Sequence, residues 1–114
     1  MTLPFSKTRR AGDLLLLSGE LPLLPDGSIP PGIAEQTALT LQRISATLEA
    51  AGLTLADVVH ATVHLVHAQD FAEFNRAYLE HMPAPFPART TVVAALVVPG
   101  ALIEISAVAA IPDK

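Results

Sequence analysis

Two charged residues stand in apolar surroundings and invite a chemical reading. Arg89 opens an apolar run directly after the proline loop PAPFP, and Glu104 sits between Ile103 and Ile105. Alternation along a strand puts Glu104 on the face of Leu102, Ser106 and Val108, opposite the two isoleucines. A lone carboxylate there is costly unless it is paired or solvated in a cleft. The residues alone leave two readings open. In one, Arg89 and Glu104 form an ion pair at an interface. In the other, Arg89 is a planar fork for a substrate carboxylate and Glu104 is an acid–base group.

The segment HATVHLVH carries His60, His64 and His67 and raises the question of a metal. On a helix, His60 and His64 would share a face and grip one ion. On a strand they share a face but lie about 13 Å apart at roughly 3.3 Å per residue. Zinc–nitrogen bonds of about 2.0–2.1 Å cannot span that gap. Val58, Val59, Thr62, Val63 and Val66 favour the strand. Interface or surface histidines, and no metal, are therefore expected.

The elements that position these residues are legible from composition and periodicity. The 114 residues suit a single domain spanning 1–114. The absence of cysteine removes disulfides, thiolate zinc sites and cysteine nucleophiles. A net charge of −4 argues against a nucleic-acid partner. Hydrophobic residues make up 51% of the chain and charged ones only 16%, against about 25% in ordinary domains. That composition predicts either a membrane or burial against further copies. No apolar run approaches the roughly 18–20 residues of a spanning helix, so no membrane is expected. MTLPFSKTRR shows no signal-peptide pattern, and a cytoplasmic oligomer is the expectation.

PFSKTRRAGDLLLLSGELPL reads as a hairpin turning at Gly12-Asp13, with Leu14 to Leu17 as its apolar strand and Ser18-Gly19 as its end. A proline-rich loop follows. Residues 33–51 read as a helix with Ala34, Ala38, Leu41, Ile44, Leu48 and Ala51 on one stripe, Gln36 and Arg43 off it, and Gly52 beyond its end. Residues 58–66 read as a strand. Residues 71–82 read as a second helix, capped by Asp70 and burying Phe71, Phe74, Tyr78 and Met82. Two further strands, 88–97 and 101–111, join across Pro99-Gly100. The order ββαβαββ predicts an α+β fold with both helices on one face of the sheet. The other face is left wanting a partner surface.

LLSGELPL, EAAG after the first helix, DVV-x-x-TV, DFAEFNRAY, FPART and GALIEISAVA occur in an order that resembles the YjgF/RidA family over nearly the whole chain. The resemblance implies a chorismate-mutase-like fold with a mixed sheet. It also implies homotrimers whose ligand clefts lie between subunits. The implied activity is hydrolysis of reactive enamines and imines, such as 2-aminoacrylate, to 2-keto acids and ammonia. Pyridoxal-phosphate enzymes release such intermediates. Carried over by motif, Arg89 clamps the substrate carboxylate and Glu104 positions or activates water. Ser18, Gly19 and Asn75 fall on binding positions. The family's frequent tyrosine is Phe5 here, its frequent cysteine is Thr91, whose backbone N–H still suits a carboxylate, and S-G-Q becomes Ser18-Gly19-Glu20.

An imine is already electrophilic, so its hydrolysis needs an anchor, a positioned water and a proton carrier, and no cofactor. A non-catalytic module binding a keto acid in the same cleft is the alternative, favoured by the Phe5 and Thr91 departures. Endoribonuclease activity ranks last, because one tyrosine and no tryptophan give little stacking surface.

Overall fold

Gly12, at φ +59°, turns strand β1 (Thr8–Ala11) into β2 (Leu14–Glu20), so that Ala11 faces Leu14 across a two-residue loop. A positive φ at the first loop position matches the right-handed twist of the paired strands. The computed structural model describes residues 2–113. The remaining elements are α1 (Ile33–Ala50), β3 (Val58–Leu65), α2 (Phe71–His81), β4 (Ala88–Val93) and β5 (Ile103–Ala110), with 3₁₀ turns at Leu55–Asp57 and Ala68–Asp70. They build the expected α+β architecture: one five-stranded mixed sheet, in the order β1-β2-β5-β3-β4, with both helices on one face.

The core lies between helices and sheet. Leu41, Ile44, Leu48 and Phe74 from the helices meet Val63, Leu65, Ile103 and Ile105 from the strands, all at most 1% exposed. Each such side chain contributes roughly 1.5–3 kcal/mol. Gly52, at φ +78°, ends α1: its N–H reaches Glu49 O and that of Leu53 reaches Leu48 O. This is the double hydrogen bond of a glycine C-terminal cap.

Several local expectations are corrected. Strands β4 and β5 are not neighbours, because α2 is a crossover that lays β4 parallel to β3 and leaves β3 between them. The strand expected over 88–97 ends at Val93, and the residues around Pro99-Gly100 carry the chain across β3. Ser18-Gly19 do not end β2. They lie within it, at a register shift between Leu17 and Glu20. Asp70 makes no side-chain cap, because it has helical φ and ψ as the last residue of a 3₁₀ turn, and the Phe71 N–H already bonds Ala68 O. Phe71 stays 45% exposed.

Gln36 departs furthest from expectation. Its position on α1 turns it inward, where it is 2% exposed. Its Nε2 donates to Pro30 O (2.9 Å) and Gly100 O (3.2 Å), and its Oε1 accepts from Leu102 N (2.7 Å). One side chain thus ties the proline loop and the entry to β5 onto α1. Those bonds fix the chain just before Glu104.

Candidate active site

Arg89 is the second residue of β4, beside buried Ala61 of β3, and so lies on the helix face of the sheet. Above it, α2 presents Phe71, Phe74, Asn75 and Tyr78, which three- and four-residue spacing gathers on one stripe. The guanidinium carbon lies 4.8 Å from the Tyr78 ring centroid, 5.0 Å from that of Phe74 and 5.9 Å from that of Phe71. Cation–π attraction of this kind strengthens as water is excluded. Nη2 donates to Asn75 Oδ1 at 2.8 Å. The guanidinium carries five donors, and this contact uses one.

Arg89 lines an open cleft of about 480 Å³ with Asn75, Tyr78, Leu79, Phe86 and Pro87. The Tyr78 hydroxyl is buried without a partner among the described residues. Burial pushes its pKa above the ordinary value of 10.0, and the positive charge of Arg89 partly opposes that. At neutral pH it is therefore a neutral donor beside the guanidinium. The helix pattern marked Tyr78 as core only. Its neighbour Asn75, one turn from Arg89's ring stack, was the available sign that the residue also walls a cleft. Thr91 lies on the same face of β4, at a separate cavity of about 260 Å³ with Phe71 and Val93.

Glu104 occupies the other face. Ile103, Ile105, Ala107 and Ala109 point into the core, while Glu104, Ser106 and Val108 alternate outward, as expected. On its β2 side the carboxylate lies over Gly19, where an added Cβ would collide with it. Space, not backbone conformation, requires glycine there. Ser18 Oγ donates to Ser6 O and ties the amino-terminal segment to β2. Phe5, in that segment, is 63% exposed.

Glu20 turns to the helix face. It is 7% exposed and takes ion pairs from Arg43 (2.7 Å) and Lys7 (3.4 Å). Glu20 of Ser18-Gly19-Glu20 therefore makes a structural contact and does not add a second carboxylate beside Glu104. Neither of these two ion pairs includes Glu104 or Arg89, the ion pairs among the described residues being these alone.

The site residues thus fall into two groups within one chain. Arg89, Asn75 and Thr91 share the helix face, and Gly19 and Glu104 meet on the outer face, with Ser18 next to Gly19 and bonded to Ser6. That outer face is also unusually apolar, with Leu14 41% and Leu16 43% exposed.

The family described as Endoribonuclease L-PSP matches residues 1–111. A RutC family protein of Pyrococcus horikoshii is 41% identical over 108 residues, covering 93% of this chain and 86% of that protein. The 2-iminobutanoate/2-iminopropanoate deaminase of Escherichia coli is 36% identical over 111 residues, covering 93% and 86%. The crystal structure of RidA from the Antarctic bacterium Psychrobacter sp. PAMC 21119 superposes with a TM-score of 0.90 at 30% identity, covering 97% of this chain and 91% of that one.

Proposed function

The chain belongs to the endoribonuclease L-PSP (YjgF/RidA) family, whose members include imine deaminases, and from that membership and its site we propose that it hydrolyses small enamines and imines bearing a carboxylate, giving 2-keto acids and ammonia. The observation that carries this reading is the seating of Arg89. Three rings and Asn75 hold the guanidinium in one orientation at the wall of a cleft sized for a small molecule. A planar fork fixed in this way suits a carboxylate through two parallel hydrogen bonds. β4 is an edge strand, so alternate backbone N–H groups along it are free to add to that cradle.

Arg89 and Glu104 face opposite sides of the sheet, so the site is completed by a second copy of the chain. The carboxylate of the substrate rests on Arg89 of one copy. Glu104 of the next takes a proton from water as its oxygen bonds to the imine carbon. With the imine nitrogen protonated at the outset, this addition gives a neutral carbinolamine; Glu104 returns its proton to the nitrogen, the C–N bond breaks as the C=O bond forms, and the hydroxyl proton passes to Glu104 as ammonia leaves. The exposed leucines and the low charge content support burial of the outer face in such an assembly. A ring of three follows from the family resemblance.

Phe5 and Thr91, at positions where the family resemblance implies a frequent tyrosine and a frequent cysteine respectively, favour a second reading in which the same cleft binds keto acids without turnover. One experiment separates the two. The purified protein is mixed with an imine generated in place by a dehydratase, and keto acid and ammonia are followed. Acceleration beyond the spontaneous rate supports hydrolysis. Saturable keto-acid binding with no acceleration supports the binding module.

A further inference from the structure

The register of β3 against β5 sets His64 directly opposite Glu104. Both lie on the outer face, where opposed Cβ atoms of antiparallel strands stand about 4.5–5.5 Å apart. The Nδ1 atom of His64 is shut off from solvent and has no hydrogen-bond partner among the described residues. A buried polar nitrogen left in that condition is costly, and such groups in folded proteins find partners. Glu104 has the complementary requirement: a half-buried carboxylate outside both ion pairs of the described residues, with Gly19 on one side and His64 on the other.

The surrounding groups leave the two to each other. On β4, the residue beside His64 is Val92, which has nothing to offer an imidazole. His60 shares the face but sits four residues earlier, opposite Val108. Arg9 of β1 faces Leu16, on the far side of β2 from β5. Lys7 and Arg43 are engaged by Glu20 on the helix face.

We propose that His64 is a positioning residue for Glu104: an imidazole N–H donates to the carboxylate, directly or through one water, and holds it aimed into the cleft of the neighbouring copy. The proposal rests on the reading of Glu104 as the group that activates water. A hydrogen bond to the carboxylate fixes its orientation. Removing the donor must therefore release the Glu104 side chain and slow turnover without weakening substrate binding.

The test follows the Glu104 carboxyl resonance by carbon NMR of the intact oligomer at one working pH, in wild type, His64→Phe, His64→Asn and His60→Gln. Asparagine keeps a nitrogen donor near the place of Nδ1. The expected result is a displaced Glu104 resonance in His64→Phe, largely restored in His64→Asn and unmoved in His60→Gln. For imine hydrolysis, His64→Phe should lower kcat about tenfold with KM nearly unchanged, the equivalent of one hydrogen bond to a charged group.

An unmoved Glu104 resonance in an assembled His64→Phe variant overturns the proposal and would leave His64 as an interface side chain. Should that variant fail to assemble, Glu104→Gln decides: imidazole signals of His64 unchanged by loss of the carboxylate overturn it equally. A coupled pair in a protein that hydrolyses no imine retires the proposed function and leaves the pairing standing. An active enzyme without coupling does the reverse.

Discussion

Arg89 and Glu104 lie on strands separated by β3 and point to opposite faces of the sheet. Arg89 stands beside Ala61 of β3, in the helix-facing layer, and Glu104 stands beside His64, in the outward layer. The sheet itself separates the proposed carboxylate anchor from the proposed proton carrier. No rotamer change within one chain brings them to one substrate. The proposed packing of one copy's cleft against the other's outer face does.

Arg89→Lys tests the anchor. Lysine keeps the charge but loses the planar fork, the ring stack and the contact with Asn75. Keto-acid binding and turnover should weaken together, by about 1.5–3 kcal/mol for a charged hydrogen bond lost. Calorimetric titration with a keto acid and initial rates check it. Full affinity in the lysine variant would remove Arg89 from the site.

Gly19→Ala tests the space over Glu104. The added methyl meets the carboxylate and forces it aside. Gly19 is not among the glycines with positive φ, so the backbone tolerates alanine there. Turnover should fall at least about tenfold, the effect of one displaced catalytic contact, while the melting temperature stays near that of wild type. Lost stability with retained turnover would contradict this.

Gln36→Leu tests the clasp on α1. The substitution leaves the carbonyls of Pro30 and Gly100 and the N–H of Leu102 without their partner. Denaturant unfolding should show a loss of roughly 2–3 kcal/mol, the range for buried groups left unsatisfied. A neutral substitution would mean that these groups are solvated.

Tyr78 is the only tyrosine, so phenolate absorbance reports it alone. Burial raises its pKa, and the Arg89 charge pulls it back in part. The midpoint should lie above 10.0 in the folded protein and move higher still in Arg89→Met. The neutral phenol is the form the fold prefers. Its contribution to stability is therefore complete below the unfolded pKa and lost as pH rises through the folded one. A midpoint at or below the ordinary value would contradict the burial.

Periodicity sufficed for the helices, the presence and order of the strands and the outward placement of Glu104, because each depends on spacing within one short segment, but it did not fix strand ends such as Val93. It failed where the decisive partner is distant in the chain. Gln36 reads as a surface polar residue until Gly100 and Leu102, more than sixty positions away, are known to meet it. The same holds for Ser18-Gly19, whose strand continues because β5 pairs beyond the bulge. Motif resemblance singled out Arg89, Asn75, Gly19 and Glu104. It did not reveal that Glu20, adjacent to Gly19, is bound to Arg43 on the opposite face.

A site shared between copies is tested most directly by mixing two inactive variants. Arg89→Met and Glu104→Gln are each assembled, then dissociated, combined and reassembled, with hybrid oligomers verified by native mass spectrometry. Each hybrid ring contains a cleft formed by an intact Arg89 from one parent and an intact Glu104 from the other. Imine hydrolysis absent from both parents should therefore return on mixing. Hybrids that form but remain inactive would contradict a site divided between neighbouring copies.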